Sequence, residues 1–438
     1  MESTMTYTVP YGKGSITFAL PPGMRGTLVE SKTLPPLTDV PAAVREALAH
    51  PVGAPPLRAM ARPGDTVCIV FTDATRASPD HLLIPPILEE LAAAGVRDAD
   101  ITLLCGVGLH RASTAGEKLA KLGQAVVGRY RVVDHEAQNP AMLVDLGRTP
   151  SGIPLSVNRL AYESKLTIAT GIVEPHQYAG YSGGAKTLAV GAAGEAMIAY
   201  THGPQMVEHP GTRLGRIAGN PFREAVNEAA RRAGLQFIVN VVQDEAQRVV
   251  AVRAGEPQAA FAELVSIARG LFEVPIPHQY DVAIGGVGYP KDANLYQATR
   301  APSYLFFAPV PVVRPGGFFI IPAQCPQGAG EGVGEQRFYQ ALRDFPTVQA
   351  LIEDARVHGY PPGQQRAFIM AKVLAETSVI IVGAEHPQIV QDVKMIPAAT
   401  LAEALAIAQE RLGRELEVLI VPHALLTLPV IGGGRGCG

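Results

Sequence analysis

TVCIVFTDATRASPDHLLIPPILEELAAAG, residues 66–95, carries the reading of the fold. TVCIVF (66–71) is an unbroken apolar run of the kind a strand buried on both faces requires. It ends in the turn-rich FTDATRASP (71–79), and from 86 to 95 Leu and Ile recur at three-to-four spacing before a glycine, which predicts a helix. The same succession returns along the chain. Strands are expected at 101–105, 166–171 and 236–242, with helices near 115–122 and over 220–234. The last of these opens on Asn-Pro and closes on Gly, as helices prefer. Such β-α alternation predicts a mainly parallel sheet covered by helices.

A second series follows VPIPH (274–278), whose alternating prolines read as a linker. Strands are expected at 281–285, 318–321 and 379–382, helices at 364–376 and 401–412, and a last strand at 417–421. At ~100–200 residues per domain, 438 residues suggest two or three domains. The expected division is 1–275 plus about 415–438, the last strand returning to the first domain, against 276–414. Two α/β domains with an interdomain cleft follow, and clefts of that kind are where small ligands usually bind.

Composition narrows the function. The net charge is −3, which leaves no basic excess to neutralise phosphates along a nucleic acid. No apolar run approaches the ~20 residues of a membrane span, and residues 1–18 lack the layout of a signal peptide. Cys68, Cys105, Cys325 and Cys437 are scattered with no CxxC pair, against a disulfide framework or zinc knuckle. A soluble cytoplasmic protein is the simplest expectation.

Three loops at strand ends carry the candidate chemistry. Asp73 and Arg76 share one turn and can point into one crevice or brace each other as an ion pair. His110 stands beside Arg111 in GVGLHRAST (106–114). The third loop, GIVEPHQYAGYSGGAKTLAVGAAG (171–194), holds His176 and Lys186, and His202 lies just beyond it. With only nine lysines in the chain, Lys186 among small apolar neighbours stands out, because burial would free its amine for covalent chemistry. The run GYSGGAKT (180–187) nearly fits a P-loop, but Ala185 replaces the last glycine, which weakens a nucleotide-hydrolysing reading. Three histidines could bind zinc, or two could act as acid and base with the third on a metal.

Taken in order, DATR (73–76), GLHR (108–111), PHQYAGYSGGAK (175–186), His202 and NLYQATR (294–300) resemble lactate racemase and its relatives, the nickel-pincer nucleotide-dependent 2-hydroxyacid racemases and epimerases. The resemblance implies a pyridinium mononucleotide that holds Ni(II) and is tethered covalently through a thioamide at Lys186. His202 would be the metal ligand, and His110 and His176 the catalytic acid and base. Asp73, Ser182, Gly183, Gly184, Tyr296 and Gln297 would bind the cofactor. Arg76 and Arg300 would bind the substrate, a small 2-hydroxyacid; cofactor-biosynthesis enzymes would be the other partners. Removing the substrate's α-hydrogen as hydride avoids building a dianion beside its carboxylate, and two histidines are expected because each serves one enantiomer. Arg300 stands where lactate-specific members carry Lys, which leaves a larger or more polar 2-hydroxyacid open. The alternative is a P-loop-like nucleotide-binding protein, or a non-catalytic ligand-binding relative on the same scaffold.

Overall fold

The computed structural model describes residues 5–413 and 415–432. It forms two compact units. The first comprises Thr33–His202 and Arg216–Leu271; the second takes the described residues up to Lys32, Gly203–Gly215 and those from Phe272 onward.

In the first unit a six-stranded sheet runs in the order Val249–Gly255, Leu235–Gln243, Leu166–Ile172, Val67–Thr72, Ile101–Gly106, Arg131–Asp134. Every pairing is parallel except that of the edge strand Val249–Gly255, which is antiparallel to its neighbour. Val67–Thr72 and Leu166–Ile172 are buried along their whole length, so both need apolar side chains on both faces. Ile69, Phe71, Ile168, Phe237 and Val239 pack with Val44, Leu48, Leu83, Ile84 and Ile87 into one core.

The helix after Val67–Thr72 spans Asp80–Ala93 and begins six residues before the expected start at 86. Pro85 and Pro86 lie inside it, each at a cost of ~3 kcal/mol in a helix interior. Burial of Leu83, Ile84, Ile87, Leu88 and Leu91 on one packed surface outweighs that local penalty. The helix Pro221–Arg232 forms as expected, with the Asn220 side chain accepting from the amides of Phe222 and Arg223.

The sheet of the second unit has the order Ile396–Ala398, Ser378–Val382, Val313–Pro322, Tyr280–Gly285, Leu416–Val421, Met24–Leu28, all parallel. Val282, Ile284, Phe318, Ile320, Ile380, Val418 and Ile420 form its core with Leu401 and Leu405. The expected domain division is corrected here. Leu416–Val421 does not return to the first sheet but lies between Tyr280–Gly285 and Met24–Leu28, and the N-terminal residues go with it. An apolar strand with four consecutive buried residues needs a hydrogen-bonded neighbour on each side, and that central slot provides both. VPIPH is not a linker either. Glu273–Ile276 is a strand paired in parallel with Leu428–Ile431, in a two-stranded ladder whose edges tolerate proline. Cys437 and the glycine-rich tail beyond 432 lie outside the described residues.

Candidate active site

Leu166–Ile172, Val67–Thr72 and Ile101–Gly106 are adjacent and parallel, so their C-terminal ends lie along one edge of the first unit's sheet. The three loops singled out in the sequence all leave from that edge, the place where ligands bind in open α/β sheets.

Asp73 and His110 meet there. His110 Nδ1 lies 2.7 Å from Asp73 Oδ2, and Thr75 Oγ1 donates to Asp73 Oδ1 at 2.6 Å. Burial raises the Asp73 carboxyl, but the bonds from His110 and Thr75 and the charges of His110 and Arg76 outweigh it and hold the group below its ordinary value. An anionic Asp73 fixes the proton of neutral His110 on Nδ1 and leaves Nε2 as the proton acceptor. Both Asp73 oxygens are thus engaged within the protein, one of them on the imidazole it orients.

The glycine-rich loop is braced from inside. Ser182 Oγ donates to the Ile172 carbonyl at 2.6 Å and accepts from the Glu174 amide. Gly183 and Gly184 have φ of +74° and +60°, and a Cβ on Gly183 would come within 2.9 Å of the Ile172 carbonyl. The Gly184 amide donates to Asn240 Oδ1 at 2.7 Å. Arg223, fully buried, donates to the carbonyls of Ala179, Gly183 and Tyr181 and lies over the Phe261 ring. Burial pulls its guanidinium down to about 9. Ser182 and the Gly184 amide therefore shape the loop. Thr187, the P-loop's would-be magnesium ligand, donates its hydroxyl to the Thr170 carbonyl at 2.8 Å, which removes the basis of the nucleotide-hydrolysing reading.

Within this loop lie His176 and Lys186, and His202 follows it at the end of the helix Glu195–Thr201. His176 is buried, and its Nδ1 accepts from the amides of Tyr178 and Ala179, so the neutral ring carries its proton on Nε2. Burial, then the charges of Lys186, Arg76, His202 and Arg223, push it well below its usual range. His202 Nδ1 donates to the Ile198 carbonyl at 2.9 Å, which puts the ring's lone pair on Nε2. Burial, then Lys186, brings it down to about 4. The amine of Lys186 is likewise pushed well below the ordinary lysine value by burial, then by Arg76 and Arg223, against the opposing pull of Glu174 and Asp73. Arg76 acts on all three groups, so its guanidinium stands within electrostatic reach of the whole cluster.

Aromatic packing joins the two histidines, 26 residues apart in sequence. Tyr178 and Phe222 contact both rings, His202 edge-on with centroids at 4.9 and 5.2 Å, His176 tilted at 5.8 and 6.4 Å. The sequence reading placed Phe222 on a helix face without seeing that this face backs the site. It gave no role to Tyr178, which lies inside the quoted run 175–186, nor to Arg223 and Asn240, which lie outside every quoted motif. Asp80 and Lys121 escaped it as well. Lys121 Nζ donates to Thr72 Oγ1, the carbonyls of Arg76 and Ser78, and Asp80 Oδ2, all within 3.0 Å, tying down the loop that bears Asp73 and Arg76.

Tyr296, Gln297 and Arg300 belong to the second unit, on the short helices Leu295–Ala298 and Arg300–Phe306. Asn294 caps the first of these through the Gln297 amide, and Tyr296 packs edge-on against Phe338. Arg300 Nη2 reaches the Tyr304 hydroxyl at 2.9 Å.

A three-histidine zinc site is not formed. Among the described residues no group of three or more His, Cys, Asp or Glu side chains is placed to hold a metal. Burial pushes the thiols of Cys68, Cys105 and Cys325 up to about 12, which leaves them unreactive near neutral pH. No helix among the described residues is long and apolar enough to cross a membrane.

The chain resembles known proteins along most of its length. The family model for the lactate racemase N-terminal domain matches residues 11–215, and that for the lactate racemase C-terminal domain matches 277–428. The chain is 30% identical to the lactate racemase of Thermoanaerobacterium thermosaccharolyticum over 420 residues, covering 95% of this chain and 97% of that one. It is 32% identical to the lactate racemase of Lactiplantibacillus plantarum over 388 residues, 87% of this chain and 89% of that one. The apoprotein structure of the Thermoanaerobacterium enzyme superposes with a TM-score of 0.87 over 97% of this chain and all of the other, at 29% identity. A Thermotoga maritima protein shares the fold at a TM-score of 0.65 and 19% identity, over 91% of this chain and all of that one. With both domain models matched in order and relatives aligned along most of its length, this chain is an isomerase that belongs to the lactate racemase family.

Proposed function

We propose that the chain racemises or epimerises a 2-hydroxyacid, using a nickel-pincer nucleotide tethered at Lys186. The observation that carries this reading is the gathering, at one sheet edge, of an amine held low and two imidazoles with opposite proton placement. His110 has its proton on Nδ1 against Asp73, and His176 has its proton on Nε2.

The residues present suit the group. Lys186 has the depressed amine that acylation to a thioamide needs. His202 has its Nδ1–H anchored on a backbone carbonyl, as metal-bound histidines usually do, and is the donor for Ni(II). Because no three-residue protein cluster exists among the described residues, the remaining donors would come from the cofactor itself. When bound, the group supplies the hydride acceptor.

The chain does the rest. His110 Nε2 takes the hydroxyl proton, and Asp73 stabilises the imidazolium that results. His176 is the acid–base partner on the other side, its Nε2–H donating a hydrogen bond to the substrate oxygen. Arg76 receives the carboxylate in its planar fork of donors. Ser182, Gly183 and Gly184 form the cofactor loop, braced by Arg223 and Asn240. Tyr296 against the pyridinium, Gln297 beside it and Arg300 on the substrate belong to the same proposal. So do the partners, a small 2-hydroxyacid and the cofactor-biosynthesis enzymes, and a cytoplasmic location.

The test is production of the chain together with those biosynthetic enzymes, followed by intact-mass measurement and chiral chromatography of 2-hydroxyacids. A mass increment and nickel that are both lost in Lys186→Ala, along with racemisation, are the expected result. An active chain of unmodified mass without nickel would refute the tether.

A further inference from the structure

The turn that carries Arg76 is not held by packing. Ala74, Thr75 and Ala77 are exposed, and a cavity of about 330 Å³ lies beside the turn, lined by Ala74, Arg76, Ala77 and Gln243 among others. The Arg76 guanidinium makes no hydrogen bond or ion pair among the described residues, so its place depends on the backbone beneath it. That backbone is fixed from the buried side. Lys121 Nζ donates to the carbonyls of Arg76 and Ser78 at 2.9 and 2.8 Å, to Thr72 Oγ1 at 2.9 Å and to Asp80 Oδ2 at 3.0 Å. Asp80, wholly buried, also accepts from Thr72 at 3.0 Å, Ser78 at 3.1 Å and Thr170 at 2.6 Å. The bond from Thr170 reaches a second strand. The ladder between Val67–Thr72 and Leu166–Ile172 stops at the pair Val70 and Ala169, and past it Asp80 joins the two strands, with Thr72 on one side and Thr170 on the other. The Thr170 carbonyl takes the hydroxyl of Thr187, the residue after Lys186. An unbroken chain of contacts thus leads from the Arg76 carbonyl through Lys121, Asp80 and Thr170 to the neighbour of the lysine.

A buried ion pair is a weak source of stability, because apolar side chains of the same volume often serve as well or better. What apolar side chains cannot supply is a donor to the two carbonyls of the turn. We propose that Asp80 and Lys121 are positioning residues for racemisation, a clamp that holds the Arg76 turn at a fixed separation from the loop of Lys186. This rests on the racemase reading above, in which Arg76 takes the substrate carboxylate and Lys186 carries the cofactor. A displacement of about 1 Å between such groups is enough to slow a reaction ~10²-fold.

The experiment uses adducted, nickel-loaded enzyme with lactate as the probe. It compares the wild type with the double variant Lys121→Met/Asp80→Asn and with Thr170→Val, at a temperature where calorimetry finds all three folded. Adduct and nickel should stay at wild-type levels. The double variant should lose about 10²-fold in kcat/KM, with KM raised because Arg76 is displaced. Thr170→Val cuts only the link between the strands and should lower kcat about 10-fold with less effect on KM. A folded, loaded double variant with wild-type kcat and KM overturns the clamp and leaves the racemase reading standing, since a merely structural pair would cost stability and not turnover. Should the double variant not fold, Thr170→Val decides in the same way. A loaded wild type that does not racemise lactate counts against the racemase reading instead, and amide hydrogen exchange of the apoprotein then decides the clamp. Thr170→Val should speed exchange both in residues 73–78 and in residues 183–189, and unchanged exchange in either stretch overturns it.

Discussion

Asp73 Oδ2 sits 2.7 Å from His110 Nδ1, across 37 residues of sequence, and this bond decides which nitrogen of the neutral imidazole is left as a proton acceptor. Asp73→Asn keeps the shape and removes the charge that supports the imidazolium. It should lower kcat by ~10²-fold or more with little change in KM, the scale of general acid–base assistance. Steady-state racemisation followed by polarimetry checks it; wild-type kcat would detach Asp73 from His110's work. The Asp73 carboxyl is lowered in the folded protein, so its contribution to stability is complete above the unfolded carboxylate range and is lost as pH falls below that range.

Lys186 presents the opposite sign. Its folded pKa lies below the ordinary lysine value, so at neutral pH the unfolded chain binds a proton that the folded chain resists. Lys186→Met should therefore raise the melting temperature of the apoprotein at pH 7. The gain should shrink as pH rises through the ordinary lysine range, where the unfolded amine loses its proton too. Calorimetry across that range is the check, and a lower melting temperature at pH 7 would contradict it.

Lys121 and Asp80 form a buried ion pair at 3.0 Å, with Thr72, Ser78 and Thr170 donating to the same carboxylate. Removing one partner of such a pair leaves a buried charge, at a typical cost of ~3–5 kcal/mol. Lys121→Met should destabilise by about that much in urea unfolding. Asp80→Asn added to it should restore part of the loss, because the amide carries no charge to strand.

His202→Ala removes the imidazole whose Nδ1 is fixed on Ile198. The mass increment at Lys186 should persist while nickel per chain falls at least ~10-fold, measured by plasma emission on protein made with the biosynthetic enzymes. Unchanged nickel would take His202 out of the metal site.

Much of the fold was legible because β-α alternation is a local pattern. TVCIVF and LTIATG are apolar on both faces and could only be central parallel strands. The start of the helix Asp80–Ala93 was not legible, since local penalties at Pro85 and Pro86 were set against burial that only packing supplies. The place of Leu416–Val421 was hidden for a related reason. An apolar strand states that it needs neighbours, not which ones, and residues 24–28 have too little apolar character to announce themselves as the partner.

The chain's own order of residues was enough to name the loops, the candidate lysine and the three candidate histidines, because motif and spacing are properties of covalent sequence. Proton placement was settled by folding alone. Whether an imidazole offers a lone pair or an N–H depends on what its other nitrogen meets, and those partners arrive from elsewhere in the molecule: Asp73 for His110, two backbone amides for His176, the Ile198 carbonyl for His202. The pairing of Lys121 with Asp80 is a fact of the same kind, since residues 41 apart in sequence meet only when the sheet is assembled.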